Sequence, residues 1–320
     1  MAMKSTRISV IVPCFNRAKF VAQTLDSVLD QTVSDWECII IDDGSTDRSA
    51  EIVSGYEQRD SRIMLHRQPN QGLSATRNQG ISLLDPNSRY VLWLDSDDVL
   101  DRRCLEVLAD HLDNHPDVGM VFASKSFIDE RGDSIPDVWQ PIRLRPTRFG
   151  VGAVDPEVPD TPFAALFVQD ALTTPSVSLF RIDVVRKVGT YDTTLESGED
   201  WDFVLRVALL SRIHFLPEPL LRYRRHGQQL TAAPTRTRSG YDELYRRWAR
   251  TDGLPPAQTK VVRAANRFRD GRALPYQWTE WANSHRRAGE LRAALHCYAI
   301  AGRSLGRFAL RTMLLSYHRM

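Results

Sequence analysis

Three clusters of small polar and acidic residues each follow a short apolar run. Pro13-Cys14-Phe15-Asn16 follows residues 8–12 (ISVIV), Asp42-Asp43-Gly44-Ser45 follows 36–41 (WECIII), and Asp95-Ser96-Asp97-Asp98 follows 90–94 (YVLWL). Asp, Asn, Gly and Ser end strands and open helices by capping and turning, which accounts for any one cluster alone. Two acidic clusters at strand ends on the same edge ask for more. Gathered carboxylates raise one another's pKa unless positive charge sits among them. A divalent cation meets that need, because Mg²⁺ and Mn²⁺ prefer oxygen ligands and Mg²⁺ is usually held by one or two carboxylates together with substrate phosphates. The chemistry this points to is a nucleoside diphosphate bound by way of a metal. No G-x-G-x-x-G follows the first apolar run and no G-x-x-x-x-G-K-[ST] occurs anywhere, so the usual dinucleotide and P-loop routes fail.

The elements that must carry these clusters alternate regularly. Residues 8–12, 36–41, 62–66, 90–94 and 118–122 read as strands. Between them, helices are predicted from Asn16 as cap (Val21, Leu25, Val28 and Leu29 on one face), over 47–59, over 73–84, and around Leu105, Leu108 and Leu112. Strands separated by helices imply βαβ units, and continuous apolar runs fit strands covered on both faces. The fold class is α/β, a Rossmann-like, mostly parallel sheet with helices on both faces, and ligands of such sheets bind outside the carboxyl ends of the strands.

Six prolines between 129 and 162 break the pattern and predict loop and irregular structure, a candidate mobile flap or substrate-facing segment. Order returns at 176–180 (SVSLF) and in a helix over 200–210, and 231–240 (TAAPTRTRSG) has linker composition. The predicted division is a first domain over 1–230 and a helical extension over 231–320. From Arg222 onward there are twenty Lys or Arg against six Asp or Glu, so the first part is acidic and the end basic, which suggests two functional surfaces. Residues 288–302 (AGELRAALHCYAIAG) resemble part of one tetratricopeptide helix pair, too little for a stacked repeat. Cys14, Cys38, Cys104 and Cys297 have no zinc-type spacing, and a reduced, cytosolic setting is the simplest expectation. The first apolar run is too short for a signal peptide, and nothing approaches a membrane span.

ISVIVPCFNR, IIIDDGSTD, NQGLSATRNQGI, YVLWLDSDD and GEDWDFVLRV, in this order and spacing, resemble family 2 glycosyltransferases of the GT-A fold, over roughly residues 7–226. The resemblance implies an inverting, metal-dependent transfer of a sugar from a nucleotide-sugar donor, UDP-linked by default, to an acceptor hydroxyl on a glycan or lipid-linked molecule of polysaccharide or cell-envelope synthesis. It places Pro13 and Asn16 beside the nucleotide. Asp43 reads the base, with Asp42 preceding it at the strand end. Arg77 becomes a donor contact. Asp97 and Asp98 fill the D-x-D role toward ribose and metal, with Asp98 the first choice as direct metal ligand. Asp95 also fits a literal D-x-D with Asp97, and its role stays open. Asp200 matches the catalytic base.

Two of these residues have a second reading. Asp200 precedes Trp201, Val204, Leu205 and Ala208 and could simply cap that helix; cap and base are compatible, since a helix N-terminus favours the carboxylate form. His226, in a basic loop (RYRRH), is either a metal or diphosphate contact or a surface residue; Arg224 and Arg225 could face the diphosphate or water. Asp95-Ser96-Asp97-Asp98-Val99 also fits a haloacid-dehalogenase-type D-x-D-x-[TV], but that motif usually opens its domain and leaves Asp43 and Asp200 unexplained. A nucleotidyltransferase would show a glycine-rich first loop, which PCFNRAK lacks. A non-catalytic scaffold would not need the acidic set. Arg303, Arg307 and Arg311 share one helix face, which would suit a peripheral contact with the inner face of an anionic membrane or a solvated face of a helical cap. No nucleic-acid-binding module is present.

Overall fold

The computed structural model describes residues 7–136, 163–169, 174–227, 229 and 234–268. By internal contacts the chain divides into two compact units, Met1–Gly240 and Tyr241–Met320.

The first unit is built on one sheet. Strand β1 (Ile8–Cys14) is buried along its whole length, flanked by β2 (Trp36–Asp42) on one side and β4 (Tyr90–Trp93) on the other, both parallel to it. Burial on both faces is what an unbroken apolar run requires. Pro13 sits where the β4 ladder has already stopped, at Ile11↔Trp93, so its missing N–H leaves no gap there. Strand β3 (Ile63–Arg67) extends the parallel half on the far side of β2. Strand β5 (Val99–Leu100) follows the third acidic cluster, and β6 (Val118–Ile128) runs six residues beyond the predicted strand before turning back into β7 (Ser134–Ile135). Beyond β4 the sheet becomes mixed, through antiparallel β8 (Ser178–Arg181), then β6, then β9 (Arg212–Arg224), giving the order β3-β2-β1-β4-β8-β6-β9-β5.

The helices between these strands are α1 (Val21–Leu29), α2 (Ser49–Glu57), α3 (Leu73–Ser82), α4 (Cys104–Asn114), α5 (Phe163–Gln169), α6 (Ile182–Val188) and α7 (Glu199–Ala208). Val21, Leu25 and Val28 of α1 and Leu105, Leu108 and Leu112 of α4 are in the core, as their spacing predicts. Helix α3 lies so close to β1 that a Cβ added at Gly80 would come 2.4 Å from Ile11. That approach explains a glycine inside a helix, where it otherwise costs stability.

Three local expectations change. Helix α1 begins after Phe20, and no side chain caps it; Asn16 is instead a left-handed residue with φ 54° that ties two loops together. Strand β9 was not anticipated, because Pro217 and Pro219 demote a strand in sequence. The ladder accommodates them by shifting register around Ser124, which faces Pro219. Residues 234–240, which read as linker, belong to α8 (Pro234–Arg250). The segments 137–162 and 288–302, Cys297 and the Arg303, Arg307, Arg311 face lie outside the described residues.

In the second unit, Leu244, Tyr245 and Trp248 of α8 and Val262 and Ala265 of α9 (Pro256–Phe268) are buried, at helical spacing. Among the described residues no helix is long and apolar enough to cross a membrane.

Candidate active site

The carboxyl ends of β1, β2 and β4 lie side by side, because the three strands are adjacent and parallel. Their loops therefore meet. Asn16 accepts from the Thr46 N–H at 2.8 Å and donates its own N–H to Ser45 Oγ at 2.9 Å, joining the first loop to the second. Arg17 donates its N–H to Ser49 Oγ at 2.7 Å and its Nε to Asp97 at 3.1 Å, joining the first loop to the third.

Asp43 is buried. Its Oδ1 accepts from Gln68 Nε2 at 2.8 Å and from the Gln71 N–H at 2.9 Å, and its Oδ2 accepts from the Gly72 N–H at 2.9 Å. A carboxylate offers about four lone-pair sites, so three bonds fix its direction and leave capacity for one more. Asp42 turns the other way, with Oδ1 accepting from the Ser45 N–H and Oδ2 paired with Arg67 at 3.2 Å. It shapes the turn.

The third loop holds three carboxylates in three different environments. Asp95 keeps the most exposed side chain, at 29%, and pairs with Arg77 at 3.2 Å, while its N–H donates to Ser176 Oγ. Burial raises its carboxyl, Arg77 opposes that, and Asp97 adds to it; the net shift is upward. Asp97 meets Arg17 on one side and His226 Nε2 at 3.0 Å on the other. Burial would raise it too, but His226 and Arg17 outweigh burial and hold it below the usual range. Asp98 is wholly buried. Its Oδ1 accepts from the Arg224 N–H at 3.0 Å, and its Oδ2 has no hydrogen-bond partner. Burial, then Asp97 and Asp95, push Asp98 well above the ordinary value.

Two buried arginines hold this arrangement. Arg224, at the end of β9, donates Nε to the Asp97 carbonyl at 2.8 Å and Nη1 to the Asp129 carbonyl at 3.1 Å, and its Nη2 meets Gln23. Arg77, on α3, donates Nη1 to Glu199 at 2.7 Å and Nη2 to Asp95. Glu199 and Asp200 open α7, whose cap is Gly198 with φ 81°. Asp200 is half-buried in the first turn, and its Oδ1 accepts from the Trp201 N–H at 2.7 Å. Trp201 Nε1 donates to the Leu166 carbonyl, fixing α7 to α5. The Arg77 bridge thus ties the first turn of α7, which carries Asp200, to the third loop.

Pro13, Asn16, Asp43, Asp95, Asp97, Asp98 and His226 are accordingly brought to one edge of the sheet. Arg77 is 1% exposed and turned onto Glu199 and Asp95, so its place is in the framework rather than at the surface a donor would reach. His226 lies against Asp97, its side chain 1% exposed and its ring 4.6 Å from that of Phe20, so it is no loop-surface residue. Arg224 points into the protein, and Arg225 lies over the Phe127 ring. Sequence reading missed Arg17, Gln68, Ser176 and the framework role of Glu199. Arg17 carried a signal, its adjacency to Asn16 in the first loop; Ser176 carried none.

The chain was compared with known proteins. Residues 9–170 match Glycosyl transferase family 2. Glycosyltransferase GlyA of Streptococcus pneumoniae is 40% identical over 102 residues, which are 32% of this chain and 14% of GlyA, so the chain matches about one seventh of that relative. Among solved structures, S. aureus TarS (residues 1–349) in complex with UDP-GlcNAc superposes with a TM-score of 0.62 at 16% identity, covering 92% of this chain and 90% of that one. The mannosyltransferase PcManGT from Pyrobaculum calidifontis, in complex with GDP-Man and Mn²⁺, gives 0.59 at 17% identity, covering 96% and 80%. At these identities the structures speak for the fold, a GT-A-type α/β fold. The family match covers half of the sequence and includes all three polar loops: the chain belongs to glycosyl transferase family 2.

Proposed function

We propose that the protein transfers a sugar from a nucleoside-diphosphate sugar to an acceptor hydroxyl, with inversion at the anomeric carbon. The observation that carries this is the buried Arg77, which bonds Asp95 of the third loop and Glu199 at the start of α7 and so ties that loop to the helix turn that carries Asp200, on the sheet edge where Asp43 also lies. Asp43, aimed by three hydrogen bonds, holds the base. Asn16 and Pro13 line the first loop beside it. Asp95, the most open of the three carboxylates, faces the donor.

The residues present fit a divalent cation. The Asp97 carboxylate and His226 imidazole converge at 3.0 Å, Asp98 Oδ2 is buried without a partner, and the loop holds more negative charge than its neighbours neutralise. Asp97 and His226 are the proposed ligand pair. This revises the first choice of Asp98, whose side chain lies fully under the surface with one oxygen committed to Arg224. Mn²⁺ or Mg²⁺ held there would offset the charge growing on the departing nucleoside diphosphate, an effect of several kcal/mol.

Asp200 takes the acceptor proton. An alcohol is far less acidic than an aspartic acid of pKa about 3.9, so proton transfer runs with bond formation rather than before it, the regime of general-base catalysis. Asp200 lies in the first turn of α7, where the helix N-terminus favours a carboxylate. Arg77 and Glu199 keep it in place. The acceptor is a glycan or lipid-linked hydroxyl.

The test is a donor screen. Released nucleoside diphosphate is measured with UDP-, GDP- and dTDP-sugars, with and without Mn²⁺; TarS and PcManGT were solved with UDP- and GDP-linked sugars, so both bases belong in it. Metal-dependent release from one donor, lost in Asp97→Asn, is expected. No release together with no calorimetric binding of any nucleoside diphosphate overturns the proposal.

A further inference from the structure

His111 lies in the last turn of α4 and His115 caps its end, four residues on, with the two rings stacked. Strand β9 brings His214 against them. The three rings lie 4.2, 5.1 and 5.3 Å from one another by centroid. His111 Nε2 and His214 Nδ1 are 2.9 Å apart. His115 Nδ1 is 2.8 Å from the His111 carbonyl, which can only accept. His115 therefore carries its proton on Nδ1 and its lone pair on Nε2, the arrangement by which a backbone carbonyl orients a metal-ligating histidine.

All three offer a ligand nitrogen, and these nitrogens lie within 4.8 Å of one another. Zinc–nitrogen bonds of about 2.0–2.1 Å at tetrahedral angles put ligand atoms about 3.3 Å apart, so the widest pair closes by about 1.5 Å at most. His111 and His115 are half-buried and His214 is buried, and His111 lines a surface groove with Glu106 and Asp110 that gives a cation its approach.

We propose that His111, His115 and His214 form a binding site for a borderline divalent transition-metal ion, zinc first, with a fourth position left to water. Nitrogen ligands separate it chemically from the oxygen-rich donor site, which suits Mg²⁺ or Mn²⁺. It is also remote. His214 lies near the start of β9, which runs parallel to β6, and roughly 30 Å of strand separates it from Arg224 at the other end. On binding, the proton between His111 and His214 moves to the far nitrogen of the ring that holds it, and both facing nitrogens become ligands without a change in charge. The ion would pin the end of α4 to β9, two elements distant in sequence. This site does not depend on the proposed transfer activity.

The experiment is calorimetric titration of the full chain, without a polyhistidine tag and freed of metal, with Zn²⁺ alone and no nucleotide. One saturable equivalent is expected, retained in Asp97→Asn. His115→Gln, at the half-buried helix end, should weaken it by more than the roughly 10–100-fold that loss of a mere outer-shell partner costs. Substituted Co²⁺ should show the intense spectrum of a four-coordinate site. Absence of saturable binding, binding kept in His115→Gln, or binding lost in Asp97→Asn overturns the proposal. If His115→Gln folds poorly, the Co²⁺ spectrum of the native chain decides alone: a weak octahedral spectrum rejects the site.

Discussion

The two ends of β1 and β4 gather charge in opposite ways. At the amino-terminal end, Asp113 accepts from Arg89 at 2.7 Å, from the Tyr90 hydroxyl at 2.5 Å and from Arg7, which also reaches Asp110 at 3.1 Å. Burial would raise the Asp113 carboxyl, but Tyr90, Arg7 and Arg89 outweigh it and hold it below the usual range. At the carboxyl-terminal end, burial and the neighbouring Asp97 and Asp95 hold Asp98 well above that range with one oxygen unpartnered, although the Arg224 N–H donates to the other. The same strands thus end once in a closed network and once in an open one. A structural network supplies a partner for every charge. The open end keeps a deficit of positive charge that a cation and a substrate can meet, at the cost of stability when nothing is bound.

The largest effect should come from the framework. Arg77→Met leaves buried Glu199 and half-buried Asp95 without their common partner, and removing one member of a largely buried ionic network costs about 3–5 kcal/mol. Urea denaturation measures it; a loss below 1 kcal/mol would mean that the bridge is not what holds α7 to the third loop. Next, Asp200→Asn should cut turnover by ~100-fold or more while donor affinity, read by calorimetry, stays close to that of the parent. Unchanged turnover would remove Asp200 from the mechanism.

The two ends should then respond oppositely to neutralisation. Asp113→Asn should destabilise by about 1 kcal/mol, a modest figure because the site is partly open to solvent. Its depressed pKa means that its contribution is present above the unfolded value of about 3.9 and lost as pH falls through the folded one. The variant should therefore lose less stability on acidification than the parent. Smallest, and of reverse sign, is Asp98→Asn in chelated protein, with a gain on the order of 1 kcal/mol. Asp98 binds its proton more tightly when folded, so stability of the chelated parent falls as pH rises from about 3.9 through the folded value, and the variant should flatten that fall. Parallel pH–denaturation curves for parent and variant would dissolve the contrast between the two ends.

Much of the parallel half was legible. β1, β2 and β4 declare themselves as apolar runs interrupted only by Ser9 and Glu37, and the polar turns at their ends follow directly. The helices α1 and α4 follow from 3.6-residue spacing. What escaped was β9, whose prolines conceal a strand that pairs through shifted register, and with it the placement of His226. Asn16 was read as a cap because residue type alone cannot distinguish a cap from a left-handed turn that joins two loops.

By itself the sequence determined that three polar loops follow strands of a βαβ pattern and that two of them gather carboxylates. Such features are set by run length, periodicity and turn chemistry within a few residues. Only the tertiary structure decided what each carboxylate meets. Arg77 and Glu199 are 122 residues apart in the chain, Arg224 and Asp97 127, and His226 and Asp97 129. Burial and pairing of charge are set across such distances, where no local pattern reaches. The same holds for His214, which joins two histidines a hundred residues earlier only because β9 folds back beside β6 and α4.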